Sequence, residues 1–90
     1  MSIHPHARQA MSVDEMLAFK GCEFVHFKGG HYRLEDFAYD SETRELMVVY
    51  RALYETMADA IGGCWVRPAK MFFEHVERDG YSGPRFTCLG

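Results

Sequence analysis

The sequence predicts a mostly β protein, a small SH3-like twisted barrel with a short N-terminal helical segment. Three observations favour this class: short runs of alternating or apolar residues follow residue 23, tight-turn residues separate them, and a proline precedes a single helical turn between two of them. The chain has 90 residues, of which 48% are hydrophobic and 14% aromatic. That content supports one modest core and excludes a wholly disordered chain.

The first twenty-one residues are predicted to lie outside the barrel. Residues 1–11 contain Pro5 and no apolar period, so we interpret them as a mobile leader. Ser12 followed three positions later by Glu15 is a capping box, and Gly21 can end the helix that it begins. We therefore expect a short helix at 12–21, appended to a single barrel domain at 22–90.

The first strands are indicated by the alternation of side chains. Residues 32–35 alternate apolar and charged positions, as a half-buried strand does, and the phase slips around 36–38, which predicts a bulge. Residues 40–43 are typical of a turn. Residues 46–50 are apolar at successive positions, which predicts a central strand covered on both faces.

The rest of the chain is predicted to alternate short strands with turns. Residues 54–63 fit either one to two helical turns or a long hairpin loop. Beyond them we expect, in order, a strand at 64–67 closed by Pro68, a helical turn at 68–71, a strand at 72–76, turn signals at 79–80 and 82–84, and a final strand at 85–88.

The charge and the cysteine content limit the binding partners and the cellular compartment that the sequence predicts. The net charge is −3 and no stretch is a basic block, which disfavours generic polyanion binding. A small local patch of basic residues could still bind nucleic acid. Cys22, Cys64 and Cys88 are an odd number without a CxxC pair, as expected of free thiols in a reducing cytoplasm. With no signal peptide or membrane-length apolar run, we expect a cytoplasmic protein without membrane association. No HxH or HxxxH pair lies in the folded part, so we expect no metal, and we expect no cofactor.

Several ordered motifs between residues 23 and 87 resemble family 1653 of the domains of unknown function. They are His26-Phe27-Lys28-Gly29-Gly30-His31-Tyr32, Ala38, Ser41-Glu42-Thr43, Val48-Val49-Tyr50-Arg51-Ala52-Leu53-Tyr54, Trp65-Val66-Arg67-Pro68, Met71-Phe72 and Pro84-Arg85-Phe86. The resemblance implies a bacterial source and a compact β-rich fold, and it supplies no catalytic residue. The sequence departs from the family pattern at Asp40, where His is more usual, and in a longer 54–64 connection.

One set of residues is predicted to form a binding surface. Strand alternation places Trp65 and Arg67 on one face, and a tryptophan beside guanidinium groups suits stacking on a base or capture of a peptide. The alternative is that Trp65 lies in the core and the arginines pair with acids across strands. The candidate ligand-binding residues are Trp65, Arg67, Arg51, Lys28, Tyr32 and Tyr50, with Lys70 and Arg85 nearby.

The Lys28-Gly29-Gly30 segment has two interpretations. Its glycines let backbone N–H groups approach a phosphate, but the spacing lacks a Walker pattern. A tight hairpin turn with a positive φ explains the same residues.

Three functions remain open at this point. The favoured one is a binding module without catalysis that recognises a peptide or a single-stranded nucleic-acid segment. The second is an enzyme acting on a small substrate through Cys64 or a histidine such as His26, His31 or His75. The third is an interaction domain whose partner docks on a sheet edge or on the helix, with Met16, Leu17 and Phe19 exposed.

Overall fold

The computed structural model describes residues 11–53 and 63–90. Its elements are α1 (Val13–Leu17), β1 (Glu23–His26), β2 (His31–Tyr39), β3 (Leu46–Ala52), β4 (Cys64–Pro68), α2 (Ala69–Phe72), β5 (His75–Arg78), β6 (Tyr81–Pro84) and β7 (Phe86–Cys88). No helix in these two ranges is long and apolar enough to cross a membrane. Nearly all of the predicted leader and of the 54–63 connection lies outside the described residues.

The strands form two antiparallel sheets. The larger has five strands in the order β4-β3-β2-β1-β7, and β5 pairs with β6 in a separate two-stranded sheet. The mostly β class and the short helix before it are therefore confirmed.

The five-stranded sheet curls without closing into the predicted barrel. Its two edge strands approach each other, because the Arg67 guanidinium carbon on β4 lies 5.8 Å from the ring centroid of Phe86 on β7. Within the described ranges these edges do not pair. Pro68 ends β4 and cannot donate to a further ladder, and the strands after α2 pair with each other instead.

Aromatic rings fill the concave side of this curled sheet. Phe72 from α2 and Phe86 from β7 are stacked at 4.1 Å with an interplanar angle of 8°. Phe24 and Tyr50 contact Phe72 edge-on, each at 5.3 Å. These four rings, with Leu34, Val48 and Ala69, form the buried core.

The helix begins as its sequence predicts, but it ends earlier than predicted, at Leu17 with Ala18 as its C-cap rather than at Gly21. The Ser12 hydroxyl accepts from the Glu15 amide at 3.1 Å, and the Glu15 carboxylate accepts from the Ser12 amide at 2.8 Å, which completes the capping box. Met16 and Phe19 pack against the core, whereas Leu17 stays exposed. Two of the three side chains that a helix-docking partner would need are therefore already engaged.

The bulge and turn that follow are also confirmed, with a small shift. The register of β2 against β3 slips between Leu34 and Asp36, slightly earlier than predicted. In the next turn the Asp40 carboxylate accepts from the amides of Thr43 and Glu42 at 3.0 and 2.7 Å. These two hydrogen bonds lower the pKa of Asp40.

Two strand predictions differ from the structure for identifiable reasons. Strand β3 buries Val48 and Tyr50 but leaves Met47 and Val49 half-buried, because the core covers one face of the sheet. The strand expected at 72–76 begins only at His75, since Phe72 is drawn into the core as the last helical residue.

The predicted turn at 82–84 is instead part of a strand. Residues 82–84 belong to β6, and the reversal lies entirely at Asp79 and Gly80, which have φ values of 54° and 80°. Positive φ at both central positions gives a two-residue hairpin turn that matches the twist of the strands. Gly83 packs under Tyr81, because a Cβ there would lie 2.6 Å from the tyrosine Oη.

We predict that Phe86→Ala lowers the free energy of unfolding by about 3–5 kcal/mol, because it removes the ring that touches both α2 and the sheet. Urea unfolding followed by circular dichroism measures this. Leu89→Ala, which truncates a 53% exposed side chain, is the matched control and should change stability by less than about 0.5 kcal/mol. Equal effects of the two substitutions would show that Phe86 is not central to the core.

Candidate functional site

The register of β4 on β3 decides which of the predicted residues share a face. Trp65 pairs with Tyr50 and Arg67 pairs with Val48, so both lie on the concave face that carries the core. Arg51 pairs with Cys64 one position away and lies on the convex face.

On the convex face Arg51 belongs to a different cluster. Its Nε lies 3.5 Å from a Glu35 carboxylate oxygen that also accepts from the Arg33 Nε at 2.9 Å. The structure therefore brings Trp65 and Arg67 together and separates Arg51 from them.

Trp65 is a surface residue. Its side chain is 42% exposed, and no ring in the described part of the chain stacks on it. Its cross-strand neighbour Tyr50 is buried, and the Tyr50 ring supports this face from below together with half-buried Tyr32, 5.3 Å away. The indole is therefore partly open to solvent.

The Arg67 side chain extends from β4, two residues after Trp65, towards β7 at the opposite edge of the sheet. Its guanidinium lies over Phe86, and no carboxylate in the described ranges pairs with it. Lys70, one turn further on, is instead paired with Glu45 at 3.3 Å. Arg67 therefore keeps an uncompensated charge beside the aromatic core.

The turn between β1 and β2 continues this face. The His26 ring lies 4.9 Å from Phe86 and 4.6 Å from Phe27, and Phe27 stacks on Tyr81 at 5.2 Å with an interplanar angle of 19°. The tight-turn interpretation of the Lys28-Gly29-Gly30 segment is confirmed, because Gly29 has a φ of 111°.

Two further cations flank the Phe27 ring. The Lys28 Nζ and the Arg78 guanidinium carbon lie 5.8 and 5.9 Å from its centroid. Neither has a carboxylate partner among the residues that the structure describes. We call the continuous face formed by Trp65, Arg67, His26, Phe27, Lys28, Arg78 and Tyr81 the cationic surface.

The pKa of His26 responds to the positive charge of the cationic surface. Burial lowers the pKa of His26, and the charges of Arg67, Arg85, Lys28 and Arg78 lower it further. The Lys28 amide donates to His26 Nδ1 at 3.1 Å, which places the proton of the neutral ring on Nε2. At neutral pH His26 therefore offers an N–H donor inside a ring of cations.

Arg85 supports the surface rather than joining it. Its side chain is buried, and its Nε and Nη2 both donate to the Glu74 carboxylate. Its carbonyl accepts from the Phe27 amide at 2.9 Å, so it holds the β1–β2 turn against the start of β5.

Sequence reasoning found part of the cationic surface and missed the rest. Arg78 and Tyr81 were not predicted, because their placement depends on the β5–β6 hairpin that the sequence pattern assigned partly to a turn. His26 and Phe27 lay within a family motif, but no spacing rule linked them to Arg67.

The residues proposed for the enzyme hypothesis lie apart from one another. Cys64 faces the convex side, and His31 on that side is bonded to Glu23 at 2.7 Å. His75 contacts Ser82 at 3.1 Å on the separate hairpin. Across residues 11–53 and 63–90, no three His, Cys, Asp or Glu side chains group as a metal site would require.

Comparison with known proteins identifies the family. The model of DUF1653, a family of unknown function, matches residues 22–88. The chain belongs to the DUF1653 family. A crystal structure of a DUF1653 protein from Bordetella bronchiseptica is similar to it, with a TM-score of 0.71 and 31% identity over 83% of this chain and 92% of that chain. No curated protein matches.

This membership confirms the resemblance that the sequence motifs indicated. All seven residues of the cationic surface of this DUF1653 protein fall inside the matched range. The family assigns none of them a role, so their function has to be argued from geometry.

We predict that Trp65, the one tryptophan of the chain, has red-shifted emission in the native protein and is quenched by iodide. The reason is its 42% exposure. The urea-unfolded protein gives the upper limit of quenching, and the native value should reach a substantial fraction of it. Blue-shifted emission without quenching would place the indole in the core.

We predict that native stability decreases as pH falls through about 6.5, because the unfolded chain takes up the His26 proton before the native protein does. The free energy of unfolding should decline from that pH down to the lowered native pKa and then level off. His26→Asn, whose side-chain oxygen can still accept from Lys28, should remove this decline.

Urea unfolding at closely spaced pH values measures it. His75→Asn is the matched control and should retain the decline. An unchanged pH profile in the His26 variant would mean that another group is responsible.

Proposed function

We propose that this DUF1653 protein is a binding module without catalysis that holds a short single-stranded nucleic-acid segment on the cationic surface. One observation carries the proposal: three cations without a carboxylate partner in the described residues, Lys28, Arg67 and Arg78, lie beside aromatic rings on one continuous face. Single-strand binders combine a cationic path for the backbone with rings on which bases stack.

The cations fit a phosphate backbone. Arg67 lies at one end of the face, and Lys28 and Arg78 flank Phe27 at the other. An arginine or lysine that has no acid partner loses no ion pair when it binds phosphate. The net charge of −3 makes the remaining surface repel a polyanion, which confines binding to this face.

The rings fit the bases. Trp65 presents an indole that is 42% exposed, and the half-buried Phe27 and Tyr81 form a stacked pair next to Lys28. Because His26 Nδ1 accepts from the Lys28 amide, the Nε2–H of neutral His26 supplies a hydrogen-bond donor next to Phe27. Stacking accepts every base, so the proposal implies weak sequence preference.

A peptide is the other ligand class that the aromatic and arginine residues suit. An acidic peptide would use the same cations, but it has no planar groups to occupy both Trp65 and the Phe27–Tyr81 pair unless it carries aromatic side chains. The observations favour nucleic acid as the ligand. An acidic peptide is therefore the alternative ligand in the binding assay.

We predict that a fluorescein-labelled single-stranded oligonucleotide of mixed sequence binds with an affinity that falls with salt. Three phosphate contacts give a slope of about −2 in a plot of log K against log salt concentration, at about −0.7 for each contact. Fluorescence anisotropy measures the affinity. Arg67→Ala and Arg78→Ala should each weaken binding and reduce the slope by about 0.7.

Substitution of the indole tests the stacking part of the proposal. Trp65→Ala should weaken oligonucleotide binding by about 1–3 kcal/mol without changing the salt slope. Arg51→Ala and Lys20→Ala are matched controls, because Arg51 lies on the convex face and Lys20 pairs with Asp36 at 3.2 Å. Both should bind as the wild type does.

The same assay with a labelled acidic peptide separates the two ligand classes. If the peptide binds, the oligonucleotide does not, and peptide binding depends on Arg67, then the cationic surface recognises a peptide instead of nucleic acid. Equal losses in the Arg51 and Arg67 variants would show that the concave face is not the binding site.

A further inference from the structure

Two of the three cysteines lie next to each other where the chain enters and leaves the sheet. Cys88 on β7 is the cross-strand partner of Phe24 on β1, and Cys22 lies two residues before Phe24 on the same face. The pairing continues past Cys88, because the Leu89 amide donates to the Glu23 carbonyl at 2.8 Å. Cys22 is thus the diagonal neighbour of Cys88 across the two strands.

The two thiols differ in access. Cys88 is exposed, whereas Cys22 is half-buried and packs against the aromatic core. Burial, with a further contribution from Cys88, raises the pKa of the Cys22 thiol. An oxidant arriving from solvent therefore meets Cys88 first, and Cys22 is the less accessible thiol diagonally across the strand pair.

The third cysteine provides an internal comparison. Cys64 lies on β4, at the opposite edge of the five-stranded sheet, and it pairs with Arg51 on the convex face. Cys22 and Cys88 lie on the other face. Any oxidation chemistry that needs two adjacent thiols is confined to Cys22 and Cys88 within the described residues.

We propose that Cys22 and Cys88 form an oxidation site that hydrogen peroxide converts to an intramolecular disulfide. The Cys88 thiolate attacks the peroxide O–O bond, gives a sulfenic acid and releases one water after protonation. The Cys22 sulfur then displaces the hydroxyl of the sulfenic acid as a second water and forms the S–S bond. Two thiols and one peroxide give one disulfide and two waters.

The disulfide would join the start of β1 to the end of β7. It would close a loop that contains almost the whole family domain, residues 22–88. A crosslink over so long a loop restricts the unfolded chain strongly. The midpoint of urea unfolding should therefore rise on oxidation. This chemistry lies at the edge of the sheet and does not depend on the cationic surface.

The experiment treats the reduced 90-residue protein with one equivalent of hydrogen peroxide and maps its tryptic peptides without reduction. The three cysteines fall in separate peptides, 21–28, 52–70 and 86–90. The expected result is the loss of two hydrogen atoms from the intact mass and a crosslink between peptides 21–28 and 86–90. Cys64→Ser should give the same product in the same yield.

The single variants identify the order of events. Cys22→Ser should stop at the Cys88 sulfenic acid, which dimedone traps, and Cys88→Ser should lose the intramolecular crosslink. Circular dichroism checks that each variant is folded. A crosslink to peptide 52–70, a disulfide-linked dimer, or dimedone labelling of the wild type as high as that of Cys22→Ser would each overturn the proposal.

Discussion

The stacked rings of Phe72 and Phe86 are the interaction on which the rest of the structure depends. Phe72 comes from a four-residue helix that could not persist alone in water, and Phe86 comes from a three-residue strand. Their contact at 4.1 Å fixes both short elements against the sheet. Because Tyr32, Tyr50 and His26 then pack around Phe86, one pair of rings sets the curl of the sheet and the position of the proposed site.

The partly buried ion pair between Arg85 and Glu74 extends this organisation to the turns. Arg85 donates both its side-chain hydrogen bonds to the Glu74 carboxylate, and its backbone joins the start of β5 to the β1–β2 turn. A buried guanidinium without that acid would be costly. The pair therefore keeps Arg85 out of the cationic surface, while the Arg85 carbonyl binds the Phe27 amide.

The two faces of the sheet carry different chemistry. On the convex face charges are matched locally, as in the contacts of Glu35 with Arg33 and Arg51. On the concave side, Arg67, Lys28 and Arg78 lie beside rings and have no acid partner in the described residues. That difference, rather than the total charge of the chain, is the basis for the proposed recognition of an anionic ligand.

The amino-acid sequence alone predicts the local features: the capping box at Ser12, the bulge in β2, the glycine turn at Gly29, the strand that Pro68 ends and the family. These depend on residues close together in the chain, so patterns of spacing report them. The exposure of Trp65, the position of Arg51 on the other face and the contacts of Arg78 and Tyr81 with Phe27 become visible in the folded structure alone. Those placements depend on strand register and on how far the sheet curls, and both are set by contacts between distant residues.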